Sequence, residues 1–235
     1  MARPMITHID PDPDRFAILS ECTENYDVGG AEAEWPNNIL SRKTVVYASG
    51  RIARKGDTVQ HNVAPEELDL CRQLANEAAA LMAGVDVGMG SESRDPFRPF
   101  YIAANAEDAV PEAIDEPLIW SRFGGTVFPA ATITVEPLAE RGTWWKEVED
   151  DGGAFTGAER EEYLRPWRAL IHWFGGRPEF KDTAFVRIGD SDALFRNSSS
   201  HPEGTESAGC VLPRLAVGLT RSGSLVGVFG YSVQT

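Results

Sequence analysis

Two strand-like runs near the C-terminal end of the sequence constrain the fold more than any other segment. Val217–Thr220 and Leu225–Thr235 are rich in β-forming residues, and the polar sequence Arg221-Ser222-Gly223-Ser224 separates them. Two such runs around a short turn that contains glycine are typical of a β-hairpin. We therefore expect the chain to end in a strand at the edge of a sheet. Such a strand either only stabilises the sheet or fixes the oxygen atoms of Thr235 for a metal or a partner protein.

The charge of the chain limits the partners that it can bind. It carries 36 acidic and 22 basic residues, which gives a formal net charge of -14 over 235 residues. A surface of this kind repels nucleic acid and acidic membranes and attracts basic partners. We therefore expect a protein that binds neither nucleic acid nor a membrane.

The cysteines and the N-terminus favour the cytoplasm. Cys22, Cys71 and Cys210 are odd in number and far apart, which is typical of reduced, buried thiols rather than of a disulfide framework. The first residues lack the apolar core of a signal peptide, and no apolar run is long enough to span a bilayer. The sequence therefore predicts a cytoplasmic protein.

Two helices are predicted from apolar residues at three- and four-residue spacing. The first begins at Pro65, carries acidic residues in its first turn and ends near Gly84. The second begins at Thr156, where Thr-Gly-Ala-Glu has the pattern of a capping box, and ends at Gly175. We expect Pro166 to kink this second helix or to shift its start.

The rest of the chain is divided into strands and loops. Strands are predicted at Arg15–Ser20, Lys43–Ala48, Phe100–Ala104, Leu118–Ser121, Ala131–Val135 and Thr183–Ile188. Residues 1–62 are expected to form an N-terminal extension that can be removed without loss of solubility. The alternatives are that it packs on the main domain or adds strands to its sheet. Residues 63–235 are expected to form the main domain, with a long loop at Asp190–Gly209.

The sequence lacks the usual patterns of an active site. Its histidines are scattered, and Gly88-Met89-Gly90-Ser91 is neither a phosphate-binding loop nor a nucleophile elbow. The carboxylates within Glu147–Asp151 form either a solvated acidic loop or a site for a divalent cation. We therefore expect a protein that is not an enzyme and has no cofactor and no metal of its own. An enzyme with a metal at Glu147–Asp151 ranks behind the two binding functions given below.

Several separate features occur in an order that matches a known family. A Ser91-Glu92-Ser93 loop, closed by Asp95-Pro96-Phe97, follows the first long helix. A helix with a threonine cap, a strand that ends in Val186-Arg187-Ile188-Gly189 and the C-terminal hairpin come later. In this order the features resemble the nuclease A inhibitor family of bacteria over roughly residues 64–235.

The resemblance implies a fold, a partner and a set of contact residues. The fold is α+β, a three-layer α/β/α sandwich with a mixed, largely antiparallel sheet closed by the C-terminal hairpin. The partner is a metal-dependent, sugar-non-specific DNA/RNA endonuclease, whose active site takes up a loop glutamate and the terminal threonine. Those roles fall on Glu92 and on Thr235, which is expected to reach the catalytic Mg²⁺ of the nuclease. Ser91 and Ser93 are the implied supporting hydrogen-bond partners.

Further positions complete the implied contact set or depart from the family pattern. Gln234 stands beside Thr235, and Phe155 occupies the place of an Asp-Trp-Tyr stretch that touches the nuclease in the family. Arg94 lies where the family usually has an acidic residue, and Asp190–Gly209 has the character of an insertion. The alternative function is a regulatory or immunity-type binding module of the same fold that acts on a different partner protein. In that case the insertion or the N-terminal extension would form the contact surface.

Overall fold

Seven strands form two antiparallel sheets within residues 5–24, 39–129, 131–189 and 211–234, which are the residues that the computed structural model describes. The short strands β1 (Thr44–Val46) and β2 (Ile52–Arg54) pair with each other. The main sheet has the order β3-β7-β6-β5-β4. Its strands are β3 (Arg98–Ile102), β4 (Ile133–Pro137), β5 (Phe180–Ile188), β6 (Val211–Thr220) and β7 (Leu225–Val233). Every pairing in it is antiparallel, so the prediction of a mixed sheet was wrong.

The predicted hairpin is present, but it lies inside the main sheet rather than at its edge. The backbone N–H of Thr220 donates to the carbonyl of Ser224 across the turn, and β6 and β7 pair along their whole lengths. β7 lies between β3 and β6, and β3 pairs with only its first part, Leu225–Phe229. Nearly every residue of both hairpin strands is buried, because both faces of the sheet are covered. A near-continuous apolar run is typical of such a central strand, and the expectation of an edge strand was wrong.

Five α-helices lie within the described residues: α1 (Pro13–Phe16), α2 (Pro65–Leu81), α3 (Glu116–Arg122), α4 (Thr143–Asp151) and α5 (Ala158–Gly176). α2 confirms the prediction, since it begins at Pro65 and buries one apolar stripe. α5 begins two residues later than predicted, and no side chain caps it, so the capping box at Thr156 is absent. Pro166 lies within this helix without ending it.

Two predicted strands are helical instead. Arg15–Ser20 overlaps α1, where Asp12 Oδ1 accepts hydrogen bonds from the backbone N–H groups of Asp14 and Arg15. Leu118–Ser121 lies in α3, where Asp115 Oδ1 accepts from the N–H of Leu118 at 2.8 Å. A short apolar run fits a strand or a helix equally well, and these aspartate caps favour the helix. The other four predicted strands occur as β1, β3, β4 and β5 within a few residues.

Buried side chains form two clusters, which lie on opposite faces of the main sheet. Successive strand residues alternate between them, so Leu215 and Val217 belong to one cluster and Ala216 to the other. Side chains of α2, α4 and α5 pack on one face. Side chains of α3 and of the 3-10 turn Ser20–Thr23 pack on the other. The molecule is therefore a mixed α+β protein with apolar packing on both faces of its sheet.

The segment before residue 63 contributes to both clusters. Leu19 and Ile52 belong to the cluster that contains α3, and Ile9 belongs to the cluster that contains α2. A Cβ atom placed at Gly124 would lie 2.3 Å from the carbonyl oxygen of Ile52, so the end of α3 touches the backbone of β2. The N-terminal segment therefore packs directly on the main sheet and its helices.

Glu67, in the first turn of α2, holds the turn of the hairpin. Its Oε1 atom accepts hydrogen bonds from Ser222 Oγ at 2.5 Å and from Ser224 Oγ at 2.6 Å. The Ser224 hydroxyl oxygen also accepts from the backbone N–H of Ala104, just after β3. One carboxylate therefore ties α2 to the turn between β6 and β7.

The cysteines agree with the prediction where the structure describes them. Cys22 and Cys71 are buried thiols, and burial raises the pKa of Cys71 to about 12. Cys210 lies outside the described residues.

Candidate partner-binding surface

The Ser91-Glu92-Ser93 loop lies directly against the end of β7. The backbone N–H of Val233 donates to Ser91 Oγ at 2.9 Å, and the N–H of Glu92 donates to the Val233 carbonyl at 2.8 Å. These bonds form beyond the last residue of β7 that pairs with β3, which is Phe229. The loop therefore takes the place of β3 as the neighbour of β7, and it stands next to Gln234.

Two serines of this loop point into its structure, whereas Glu92 is exposed. The backbone N–H of Ser93 donates to Ser91 Oγ at 3.2 Å, and Ser93 Oγ donates to Asp95. The Tyr231 hydroxyl donates to the other oxygen of Asp95 at 2.7 Å, and burial together with this bond raises the pKa of Tyr231. Both serines are half-buried. The serines therefore fix the shape of the loop and leave the Glu92 side chain on the surface.

A carboxylate from α4 fixes the other end of the loop. Gly88, Met89 and Gly90 have φ angles of 62°, 60° and 72°, a left-handed run that turns successive N–H groups to one side. Asp151 accepts hydrogen bonds from the N–H groups of Met89 and Gly90, the latter at 3.1 Å. Burial raises the pKa of this carboxyl group. Asp151 was predicted only as part of an acidic cluster, and its contacts lie some sixty residues away along the chain.

Phe155 lies at the side of the same loop. Its side chain is 41% exposed, and its ring centroid is 5.5 Å from that of Tyr163. A Cβ atom placed at Gly88 would lie 3.2 Å from the Tyr163 hydroxyl oxygen, so this tyrosine links Phe155 to the start of the loop. We call Glu92, Phe155, the half-buried Gln234 and the exposed parts of residues 88–95 together the loop–hairpin surface.

A polar cavity of about 320 Å³ opens beside this surface. It is lined by Met89, Thr134, Glu147, Arg187, Gly189, Arg214 and Gln234. Arg187 Nη2 lies 3.0 Å from Glu136 Oε2, and its Nη1 contacts Glu147, whose pKa burial raises. The buried Arg214 donates to the Pro213 carbonyl at 3.0 Å. Gln234 therefore borders a cavity in which Arg187 is paired with two carboxylates and Arg214 donates to the backbone.

The structure thus brings together five of the six predicted contact residues: Ser91, Glu92, Ser93, Gln234 and Phe155. Thr235 lies outside the described residues. The four carboxylates of Glu147–Asp151 lie in α4 rather than in a loop. Each has a partner: Arg187, Arg160, Lys146 and the Gly88–Gly90 run, in chain order.

Within the four described ranges, no group of three or more histidine, cysteine, aspartate or glutamate side chains is arranged to hold a metal ion. Among the same residues, no helix is both long and apolar enough to cross a membrane. The chain matches no protein-family model and no curated protein sequence.

Proposed function

We propose that this chain is a protein inhibitor of a metal-dependent, sugar-non-specific DNA/RNA endonuclease, and that its loop–hairpin surface enters the active-site cleft of the nuclease. The observation that carries the proposal is the pair of hydrogen bonds between Ser91, Glu92 and Val233. They set the exposed Glu92 side chain beside the residues that lead to Thr235. In the proposed complex Glu92 occupies the place of a substrate phosphate and Thr235 reaches the catalytic Mg²⁺. The three-layer α/β/α arrangement implied by the family resemblance is part of this proposal.

The charge of the chain supports this choice of partner. A nuclease cleft is basic because it must hold phosphates. The net charge of -14 attracts such a cleft and speeds the encounter, with a strong dependence on salt concentration. Carboxylate and hydroxyl oxygens are also the ligands that Mg²⁺ prefers.

The fixed shape of the loop also supports the proposal. Asp151 holds its beginning, Val233 pairs with its middle, and Tyr231 bonds to Asp95 at its end. A segment that is already ordered loses less conformational entropy on binding. The backbone at Glu92 is therefore already ordered before the partner arrives.

A capture experiment tests the proposal. The full chain is immobilised and exposed to a lysate of its source organism, and the retained protein is assayed for Mg²⁺-dependent cleavage of both DNA and RNA. We expect the retained nuclease to be inhibited while it is bound to the immobilised chain and to regain its activity after elution. With Glu92→Gln as bait, we expect the recovered nuclease activity to be strongly reduced. Capture of a protein without nuclease activity would instead favour a regulatory or immunity-type module that acts on another partner.

A further inference from the structure

Residues 5–11 form a strap that runs over the body of the protein before α1 begins. Near the start of the strap, the backbones of Ile6 and Val63 exchange two hydrogen bonds, of 2.9 and 3.1 Å. Just after its end, the N–H of Asp12 donates to the Val46 carbonyl at 2.8 Å. The strap is therefore anchored at two separate points, one on each side of its middle.

The strap covers apolar side chains of the cluster that contains α2. Ile9 is buried in this cluster, and Ile6 packs against it from a partly buried position. The helix that follows the strap is held independently, because the Arg15 guanidinium lies 3.9 Å from the centroid of the Tyr101 ring. The strap can therefore separate from the body while α1 stays in place, and separation would expose Ile9 and Val63 to solvent.

His61 lies between the two anchors and is buried without a hydrogen bond. It stands two residues before Val63, and its ring centroid is 4.8 Å from that of Tyr47, which pairs with Pro11 of the strap. The residue is only 8% exposed, and neither ring nitrogen has a hydrogen-bond partner among the described residues. Protonation makes both ring nitrogens donors and adds a positive charge. A charged His61 in this position would therefore be a buried cation without an acceptor, which is costly.

The charged groups around His61 also oppose its protonation. Burial, followed by the charges of Arg51 and of His8 on the strap, lowers the pKa of His61. The acidic side chains of the same segments have other partners: Asp10 pairs with His8, Asp108 with Arg51 and Arg122, and Glu107 with Asn62. A protonated His61 is therefore accommodated better in water than beneath the strap.

We propose that protonation of His61 releases the strap, so that the protein opens locally in mildly acidic solution and exposes the apolar surface under residues 5–11. In the open form the ring is in water, where its pKa takes the ordinary value of 6.5. The closed form is therefore fully favoured above pH 6.5, and the open form gains at most about tenfold for each pH unit below it. The device does not depend on the proposed inhibitor function, because neither the strap nor its anchors belong to the loop–hairpin surface.

Hydrogen exchange of the full chain, followed by NMR, tests the proposal. The N–H groups of Ile6 and Val63 report opening of the strap, and that of Ala216 in the central strand β6 reports unfolding of the whole molecule. After correction for the intrinsic effect of pH on exchange, we expect the protection of Ile6 and Val63 to fall by up to about tenfold per unit between pH 6.5 and pH 5. Constant protection of these two groups over that range would overturn the proposal.

A low concentration of urea separates local opening from global unfolding. Opening of the strap exposes little surface, so we expect added urea to leave the exchange of Ile6 and Val63 nearly unchanged and to speed that of Ala216. If all three N–H groups exchange at the same rate and respond equally to urea, the strap does not open on its own and the proposal is wrong.

Two matched variants assign the effect to His61. His61→Phe keeps a ring against Tyr47 and removes the titrating group, so the protection of Ile6 and Val63 should no longer depend on pH in this range. His172→Phe makes the same change at an exposed position of α5 and should behave as the parent chain does. Equal pH dependence in the two variants would overturn the proposal.

The parent chain supplies a second readout that needs no variant. In an NMR titration, the ring signals of His61 should have their midpoint below pH 6.5, and the amide signals of Ile6 and Val63 should move along the same curve. A midpoint at or above pH 6.5, or amide signals that do not follow the ring, would also overturn the proposal.

Discussion

The backbone N–H of Val233 donates a 2.9 Å hydrogen bond to Ser91 Oγ, across 142 residues of sequence. With the reciprocal bond from the Glu92 N–H to the Val233 carbonyl, it continues the ladder of β7 where β3 has ended. Unpaired strand edges invite association with other chains, and the loop covers this one. The same contact places an exposed carboxylate next to the end of the hairpin.

Ser91→Ala removes the acceptor for Val233 and for the Ser93 N–H. We expect the free energy of unfolding to fall by about 1 kcal/mol, because a half-buried N–H loses its partner. The free energy of binding to the nuclease should fall by more than the free energy of unfolding, since the loop is no longer held in position. Ser20→Ala, whose hydroxyl donates to the Ala17 carbonyl at an exposed turn, is the control for loss of a serine. Thermal melts and nuclease titrations measure the two effects, and an unchanged inhibition constant would show that loop position is unimportant.

Glu92→Gln removes the proposed contact charge without changing the size of the side chain. We expect folding to be nearly unchanged and inhibition to weaken by ~2–5 kcal/mol, as for a desolvated charge pair. Glu112→Gln makes the same charge change at an exposed position away from the loop–hairpin surface. A sharp fall in the melting temperature with unaltered inhibition per folded molecule would assign Glu92 a structural role in the loop instead.

Phe155→Ala tests the apolar part of the loop–hairpin surface. The ring is already 41% exposed, so we expect a stability loss of only about 1 kcal/mol, mainly from its contact with Tyr163. Affinity for the nuclease should fall by about 2 kcal/mol if the ring is buried in the complex. Val110→Ala is the matched control, because Val110 is 48% exposed and lies near the turn of the hairpin, at the far end of β7. Equal affinities of the two variants would remove Phe155 from the interface.

Removal of residues 1–60 should abolish cooperative folding. Leu19, Val46 and Ile52 are buried in the cluster that contains α3, and their loss costs about 5 kcal/mol or more. This is comparable with the whole stability of a typical domain. Ile52→Ala, which leaves the segment in place, should cost about 2–5 kcal/mol. Near-ultraviolet circular dichroism and thermal melts follow both variants, and a truncated chain that melts within a few degrees of the full chain would show that the segment is dispensable.

His61 should make stability depend on pH. The side chain is buried against Tyr47, and neither ring nitrogen has a hydrogen-bond partner among the described residues. Burial, followed by the nearby charges of Arg51 and His8, lowers the pKa of His61 below 6.5. The unfolded chain therefore takes up a proton more readily than the folded chain. The stabilisation by neutral His61 is complete above pH 6.5 and decreases at lower pH, by at most ~1.4 kcal/mol per pH unit.

His61→Phe retains a ring against Tyr47 and removes the titrating group. Denaturant unfolding between about pH 7 and pH 5 should show a smaller pH dependence in this variant than in the parent chain. Equal slopes for the two proteins would mean that His61 does not control the effect.

The sequence predicted elements well where one local pattern was sufficient. α2 has both a proline at its first position and a long apolar stripe, and both signals lie in the residues of the helix itself. α3 was mistaken for a strand because its apolar run is short, and the Asp115 cap lies outside that run. The expectation that the C-terminal strand lies at the edge of the sheet was also wrong, because a strand pattern carries no information about which neighbours lie on its two sides.

The candidate site was predictable only in part, because local sequence patterns do not show which distant segments meet. The family resemblance suggested that the Ser91–Ser93 loop and the hairpin share a surface, and the structure brings them together. The contribution of Asp151 depends on a contact between distant segments, which no local pattern reveals. One signal was present, since Gly-Met-Gly permits a left-handed run whose N–H groups need an acceptor.

The central position of the hairpin in the main sheet affects how the protein folds during translation. The ribosome delivers β3, β4 and β5 well before residues 211–233, and among the strands that the structure describes β3 pairs only with β7. During translation β4 and β5 can pair, whereas β3 has no strand to join until the hairpin emerges from the exit tunnel. A nascent chain at this stage exposes apolar strand edges that chaperones recognise and that other nascent chains can capture. Formation of the whole core therefore follows synthesis of β7, and a ribosome that stalls before Val233 leaves a chain prone to aggregation.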